Sequence, residues 1–232
     1  MAWIKNFLRS VCGGILGAAL LAANTNAATN LAEGFSKLPS GSKVLIVPLD
    51  IELFELGAGG VLEPNAEWTA QANQNLAKAF REKPFPNTEF VATPDSLKPE
   101  LEELSRLHGA VGSAIVLHHS TPAFELPTKK GKLDWSLGES FANLKEKTGA
   151  RYALFGFVRD SYASGGRVAA IVVGALLGVG ISGGIQTGYA SLVDLETGQI
   201  VWFNRLLRGY GDLRSYENAK ESLNAMLKDF PD

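Results

Sequence analysis

Cysteine is nearly missing from this chain: Cys12 is the only one in 232 residues. Disulfides within the chain are thereby excluded, and so are metal centres built on several of its thiolates. Cys12 also stands before an apolar run, whereas a lipoprotein signal needs its cysteine after that run, so it is not read as a lipid attachment site. An excess of basic charge is lacking too. The formal net charge is −2, which argues against a nucleic-acid partner, since such a partner asks for a basic face.

Catalytic patterns are equally scarce. Of the three histidines, His118 and His119 are adjacent, and on a strand adjacent side chains point to opposite faces, a poor grip for one metal. All three, His108 included, are expected to be ordinary surface or loop residues. Gly57-Ala-Gly-Gly60 lacks the lysine and hydroxyl of a phosphate-binding loop, and Ser113, Ser120 and Ser164 lack the sequence of a nucleophile elbow. Glu102 and Glu103 sit beside Arg106 as a solvated helix face does, while Asp194 and Glu196 belong to a turn. No enzyme activity and no cofactor are expected.

What is present begins with Lys5 and Arg9, then an apolar run from Val11 to Ala23 and small residues to Ala28. That layout predicts a secretory signal peptide over residues 1–27, cut after Ala27 or Ala28; an uncleaved anchor is the alternative. Cleavage removes two basic residues and no acid, leaving a net charge of about −4. A polar lead-in, 28–42, then precedes one domain over 43–232, long enough to bury a sizeable core.

Within that domain Lys43 to Asp50 reads as a buried strand that Pro48 interrupts. Pro64 opens a helix over 65–82 with Trp68, Ala72, Leu76, Ala79 and Phe80 on its inner face. Thr88 to Ala92 is a short strand. A helix capped at Asp95 or Ser96 follows, with Leu101, Leu104 and Leu107 inward and Gly109 as its end. Residues 110–117 are helix or strand, and 121–135 form a loop. Ser136 to Thr148 is a helix closed by Gly149. Arg151 to Arg159 is the clearest strand, Gln186 to Asp194 and Gln199 to Asn204 form a hairpin, and Ser215 to Phe230 is the last helix. The fold class is α+β: a single sandwich-like domain with a mixed sheet and helices.

The segment Gly149-Ala-Arg-Tyr-Ala-Leu-Phe-Gly156, together with Leu192-Val-Asp-Leu-Glu-Thr-Gly-Gln-Ile-Val-Trp202 and this element order, resembles a known family. It is similar to the anticodon-binding-like α/β domain of bacterial envelope accessory proteins. These include the curli-secretion channel protein, the amino-terminal domain of the Tol-Pal β-propeller protein and small periplasmic lipoproteins. The resemblance covers roughly Lys43 to Asp229 and implies a periplasmic, non-enzymatic role in assembly, secretion or transport, with attachment to the outer membrane as one form of it. Its motifs are apolar and turn patterns, so no functional residue carries over.

The chain departs from that family in two ways: it has no cysteine at the cleavage position, unlike the lipidated members, which counts against a lipid anchor, and it carries an apolar insertion. Residues 168–185 carry no charge and are interrupted by Gly174, Gly178, Gly180 and Gly184. The run has the length of a short transmembrane helix, and its two Gly-xxx-Gly spacings suit close approach of helices. Flanked by two strands of one sheet, however, it must leave and return. It is read as a glycine-zippered insertion covered by packing, by a partner or second copy, or by a membrane, with contact through Ile171, Val172, Gly174, Leu176, Leu177, Gly178, Gly180 and Gly184. The competing reading is a soluble periplasmic binding module for a small ligand or peptide, with the insertion as core.

Overall fold

The computed structural model of the chain describes residues 30–209 and 211–232; the predicted signal peptide, with Cys12, lies outside them. Strand β5, Tyr152–Ala163, organises the sheet. Its Tyr152, Leu154, Val158 and Tyr162 enter one apolar core, and Ala153 and Phe155 enter a second on the other side. This alternation requires both faces of the strand to be covered.

Two helices cover each face. The first core takes Ala72, Leu76 and Ala79 from α1, Ala66–Glu82, and Ala219, Leu223 and Met226 from α5, Tyr216–Met226. The second takes Leu101, Leu104 and Ile115 from α2, Lys98–His118, with Leu144 from α3, Ala142–Thr148. The result is the expected mixed α/β architecture. A further helix, α4, Gly165–Leu176, lies outside both layers.

On one side β5 pairs antiparallel with β6, Gln186–Asp194, which pairs antiparallel with β7, Ile200–Arg208. On its other side β5 holds two strands end to end: β1, Ser42–Ile46, against its first residues and β2, Asp50–Leu56, against its last, both parallel. Beyond them β4, Thr88–Ala92, is parallel to β1, and β3, Leu62–Pro64, is antiparallel to β2. Ile46 is opposite Leu154 but Asp50 is opposite Phe157. The link 47–49 therefore holds one residue too many for the ladder, which is a β-bulge. Leu49 lies across the sheet at Gly156, where a Cβ would come within 2.5 Å of its Cδ2.

Several boundaries differ from the sequence reading for local reasons. Gly109 does not end α2, because it and Gly112 are where that helix presses on Tyr189. The Tyr189 hydroxyl donates to the Gly109 carbonyl at 2.6 Å, and a Cβ on Gly112 would meet the ring at 2.1 Å. Residues 110–117 are accordingly helix. Neither Asp95 nor Ser96 caps α2; its N-cap is Leu97, with no side-chain bond. Pro64 ends β3 opposite Phe54, and Asn65 caps α1, its side chain accepting from Trp68 N at 3.0 Å.

Residues 136–141 are also not α-helical. Ser136 bridges Gln199, Leu137 N donates to the Gly198 carbonyl, and only a 3-10 turn, Glu139–Phe141, precedes α3. The lead-in packs on the sheet through buried Ala32 and Leu38, with Leu31 bridged to Trp202. β5 and β7 each run four residues past their predicted ends.

Candidate functional site

The insertion starts where β5 stops. Ser164 ends the strand, and its side chain accepts from Arg167 N, giving α4 a serine N-cap. Twelve helical residues rise about 18 Å. Gly178, at φ 73°, then turns the chain back, and Val179 N donates to the Gly174 carbonyl at 2.7 Å. Residues 177–185 return without regular structure to Gln186, opposite Asp160 in the ladder. The two ends of the insertion are therefore neighbours, as a there-and-back element requires. Among the described residues no helix is long and apolar enough to cross a membrane.

Glycines do allow close packing here, but inside the insertion. A Cβ on buried Gly174 would stand 2.7 Å from Ile181 Cδ1 and 3.0 Å from the Val179 carbonyl. One on Gly183 would touch Ile171 Cδ1 at 3.5 Å. The helix and the returning strap thus close on each other through Ile171, Gly174, Ile181 and Gly183. Gly184, at φ 140°, passes so near β5 that a Cβ would lie 2.0 Å from the Ser161 carbonyl. Gly180 and Gly184 are not helical, so the second Gly-xxx-Gly spacing is no helix surface.

Arg167 is the one charge between Asp160 and Asp194. It is pinned at the root, its Nε donating to the Ser182 carbonyl and its guanidinium to the Ala58 carbonyl of the β2–β3 turn. What remains outside is apolar. Val168, Val172, Val173, Val179 and Ile185 are about half exposed, and at the tip Leu176 and Leu177 are 82% and 74% exposed. The β2–β3 turn adds exposed Val61 and Leu62 at the same end of the sheet.

Of the predicted contact residues, Val172, Leu176, Leu177, Gly178 and Gly180 face outward, while Ile171, Gly174 and Gly184 are partly or wholly turned inward. Sequence reasoning missed Val168, Val173 and Val179, and it missed Val61 and Leu62. The signal for the last two was an apolar pair directly after a glycine turn, a place that is normally polar.

Beneath the root lies a buried polar cluster. Asp160, 2% exposed, accepts from Gln186 Nε2 at 2.6 Å and from the Tyr162 hydroxyl. Burial pushes its carboxyl up to about 6, partly offset by these two donors. The Tyr162 hydroxyl in turn accepts from Leu213 N at 2.7 Å, and Ser222 donates to Gln186 Oε1 at 2.8 Å. Arg214 stacks over Trp68 and Tyr162. Charged groups this far inside are stable only when partnered, and the partners here join β5, β6, α5 and the loop after β7. Their geometry fixes the insertion's root, and Asp160, Tyr162 and Gln186 line a small pocket of about 80 Å3 there with Gly183, Gly184 and Gly211.

The histidines correct the sequence expectation. His108 is not at the surface: it is 1% exposed, stacked 4.8 Å from Phe155, with Nε2 2.6 Å from Ser191 Oγ. Burial lowers it to about 3. His119 is buried as well. Among the described residues no group of three or more His, Cys, Asp or Glu side chains is placed to hold a metal ion.

No protein-family model matches the chain, and no curated protein does. Solved structures offer distant likenesses. The PelC dodecamer of Paraburkholderia phytofirmans shares 14% identity over 85% of this chain and 94% of its own, with a TM-score of 0.40. The LpoB C-terminal domain of Salmonella enterica shares 15% over 76% and 87%, at 0.30. The lipoprotein GNA1162 of Neisseria meningitidis shares 15% over 72% and 79%, at 0.31. At such TM-scores these likenesses carry no argument about assembly or function.

Proposed function

We propose that this is a non-enzymatic accessory protein of the bacterial cell envelope, periplasmic or held at the outer membrane, that works by seating the hairpin 165–185 on an apolar surface. A membrane, a protein partner or a second copy of the chain can supply that surface. The observation that carries the reading is the exposure of Leu176 and Leu177 at the tip of a hairpin whose single charge is at its root. Single exposed leucines are ordinary, but a contiguous apolar patch marks a contact surface. Because the strap 177–185 is not helical, its backbone polar groups resist deep burial in hydrocarbon. Contact at the interfacial depth of a membrane or against protein is favoured over a span.

The test is Leu176→Glu with Leu177→Glu. Both side chains are outside the packed interior of the hairpin, so the domain should keep its melting temperature. Wild-type protein is expected to sediment as an assembly or to be recovered with membranes, and the double variant to appear as soluble monomer. Unchanged sedimentation together with unchanged membrane recovery would remove the proposal. Substituting Gly174 is a poorer probe, because its missing Cβ is used inside the hairpin.

A further inference from the structure

The bulge at 47–49 leaves a cleft between itself and α1. It has a volume of about 320 Å3. Ile46, Leu49 and Phe80 line it over the nearly covered Leu76 and Leu154, together with exposed Ala77 of α1. Pro48 in the lining has no N–H to offer a ligand. The polar side chains at this cleft are Asn73, whose amide is already given to the Thr69 carbonyl, and Arg81.

Arg81 is the informative one. It lies in the last turn of α1, and among the described residues no acid or hydrogen-bond partner engages it. An apolar cleft with one uncommitted guanidinium at its edge selects a ligand that is aliphatic along its length and anionic at one end. Such a pairing of hydrophobic lining with a few orienting polar groups is the usual make-up of small-molecule sites, and a guanidinium binds a carboxylate through parallel hydrogen bonds. At roughly 30 Å3 per water-sized group, the cleft holds about ten heavy atoms. That is the size of a medium-chain carboxylate; the chain of a membrane lipid would project out of it.

We propose that this cleft binds a free medium-chain aliphatic carboxylate, with the chain against Ile46, Leu49, Ala77 and Phe80 and the carboxylate on Arg81. The site is on the opposite edge of β5 from β6 and is separate from the apolar hairpin, so it stands or falls independently of the hairpin's role.

The probe is octanoate, titrated into the whole mature chain by calorimetry, with octanol as the uncharged comparison. Saturable one-to-one binding is expected, with octanol about tenfold weaker, the scale of one charge-assisted contact. Arg81→Gln should bring the two ligands to equal affinity. Ala77→Phe, at an exposed helix position, should fill the cleft and abolish binding of both, with the melting temperature reporting that each variant is folded. Octanoate binding that is absent, that survives Ala77→Phe, or that octanol equals in wild type overturns the proposal.

Discussion

Asp160 and His108 are both buried, and their pKa values are pushed in directions that make their contributions to stability oppose each other with pH. Asp160 is raised from 3.8 to about 6. The folded state therefore takes up a proton before the unfolded chain does, and stability is gained as pH falls from about 6 to about 3.8. His108 is lowered from 6.5 to about 3, so the unfolded chain takes up its proton first and stability is lost as pH falls from about 6.5 to about 3. Each contributes roughly 1.4 kcal/mol per pH unit inside its window. Between about pH 6 and 4 the two slopes cancel. Asp160→Asn, which keeps an acceptor for Tyr162 and Gln186, removes a gain of roughly 3 kcal/mol between pH 7 and 4. His108→Gln removes a loss of about the same size over that range. Urea midpoints followed by circular dichroism at pH 7, 6, 5 and 4 should thus show stability falling more steeply than wild type in the first variant and less steeply in the second. Taking differences from wild type cancels the other carboxylates. Two difference curves that stay flat across this range would refute the assignment of these windows to Asp160 and His108.

Two further outcomes follow from packing. Gly112→Ala puts a methyl 2.1 Å from the Tyr189 ring, and overpacking of this kind should cost about 1–3 kcal/mol; a thermal midpoint equal to wild type would contradict the contact. Asn65→Ala removes the cap accepting from Trp68 N and should cost about 1 kcal/mol, read as a fall of about 2–4 °C in Tm for a domain of this size.

Much of the fold was legible because it rests on short-range patterns. The hairpin of β6 and β7 announced itself by β-branched runs around Leu195-Glu-Thr-Gly198, and the inner faces of α1 and α5 by helical spacing. What was not legible depended on partners distant in sequence. Gly109 resembles a helix stop until Tyr189, 80 residues later, is seen to donate to its carbonyl. Asp160 and Ser161 look like the end of a strand because polar residues rarely continue one inward, and they continue it here because Gln186 and Tyr162 receive the carboxylate. His108 looks like a surface residue until Phe155 and Ser191 enclose it. At the candidate site the reversal of the insertion was legible from the flanking strands. Which glycines face inward was not, since that depends on how the strap 177–185 folds against α4.

The extra residue in the link between β1 and β2 also hides from the sequence pattern that both strands line the same face of the sheet. In β1 Val44 faces the core under α1 and α5 and Leu45 the core under α2 and α3, whereas in β2 it is Ile51 and Leu53 that face the former. Odd and even positions exchange faces across the bulge. Deleting one residue at 48 or 49 would leave three steps on each strand between Ile46–Leu154 and Asp50–Phe157, so β2 would keep Asp50 and Glu52 at Arg159 and Ile51 and Leu53 in the core. What such a deletion would remove is the looped-out residue itself, and with it the place of Leu49 over Gly156 and in the lining of the cleft beside α1.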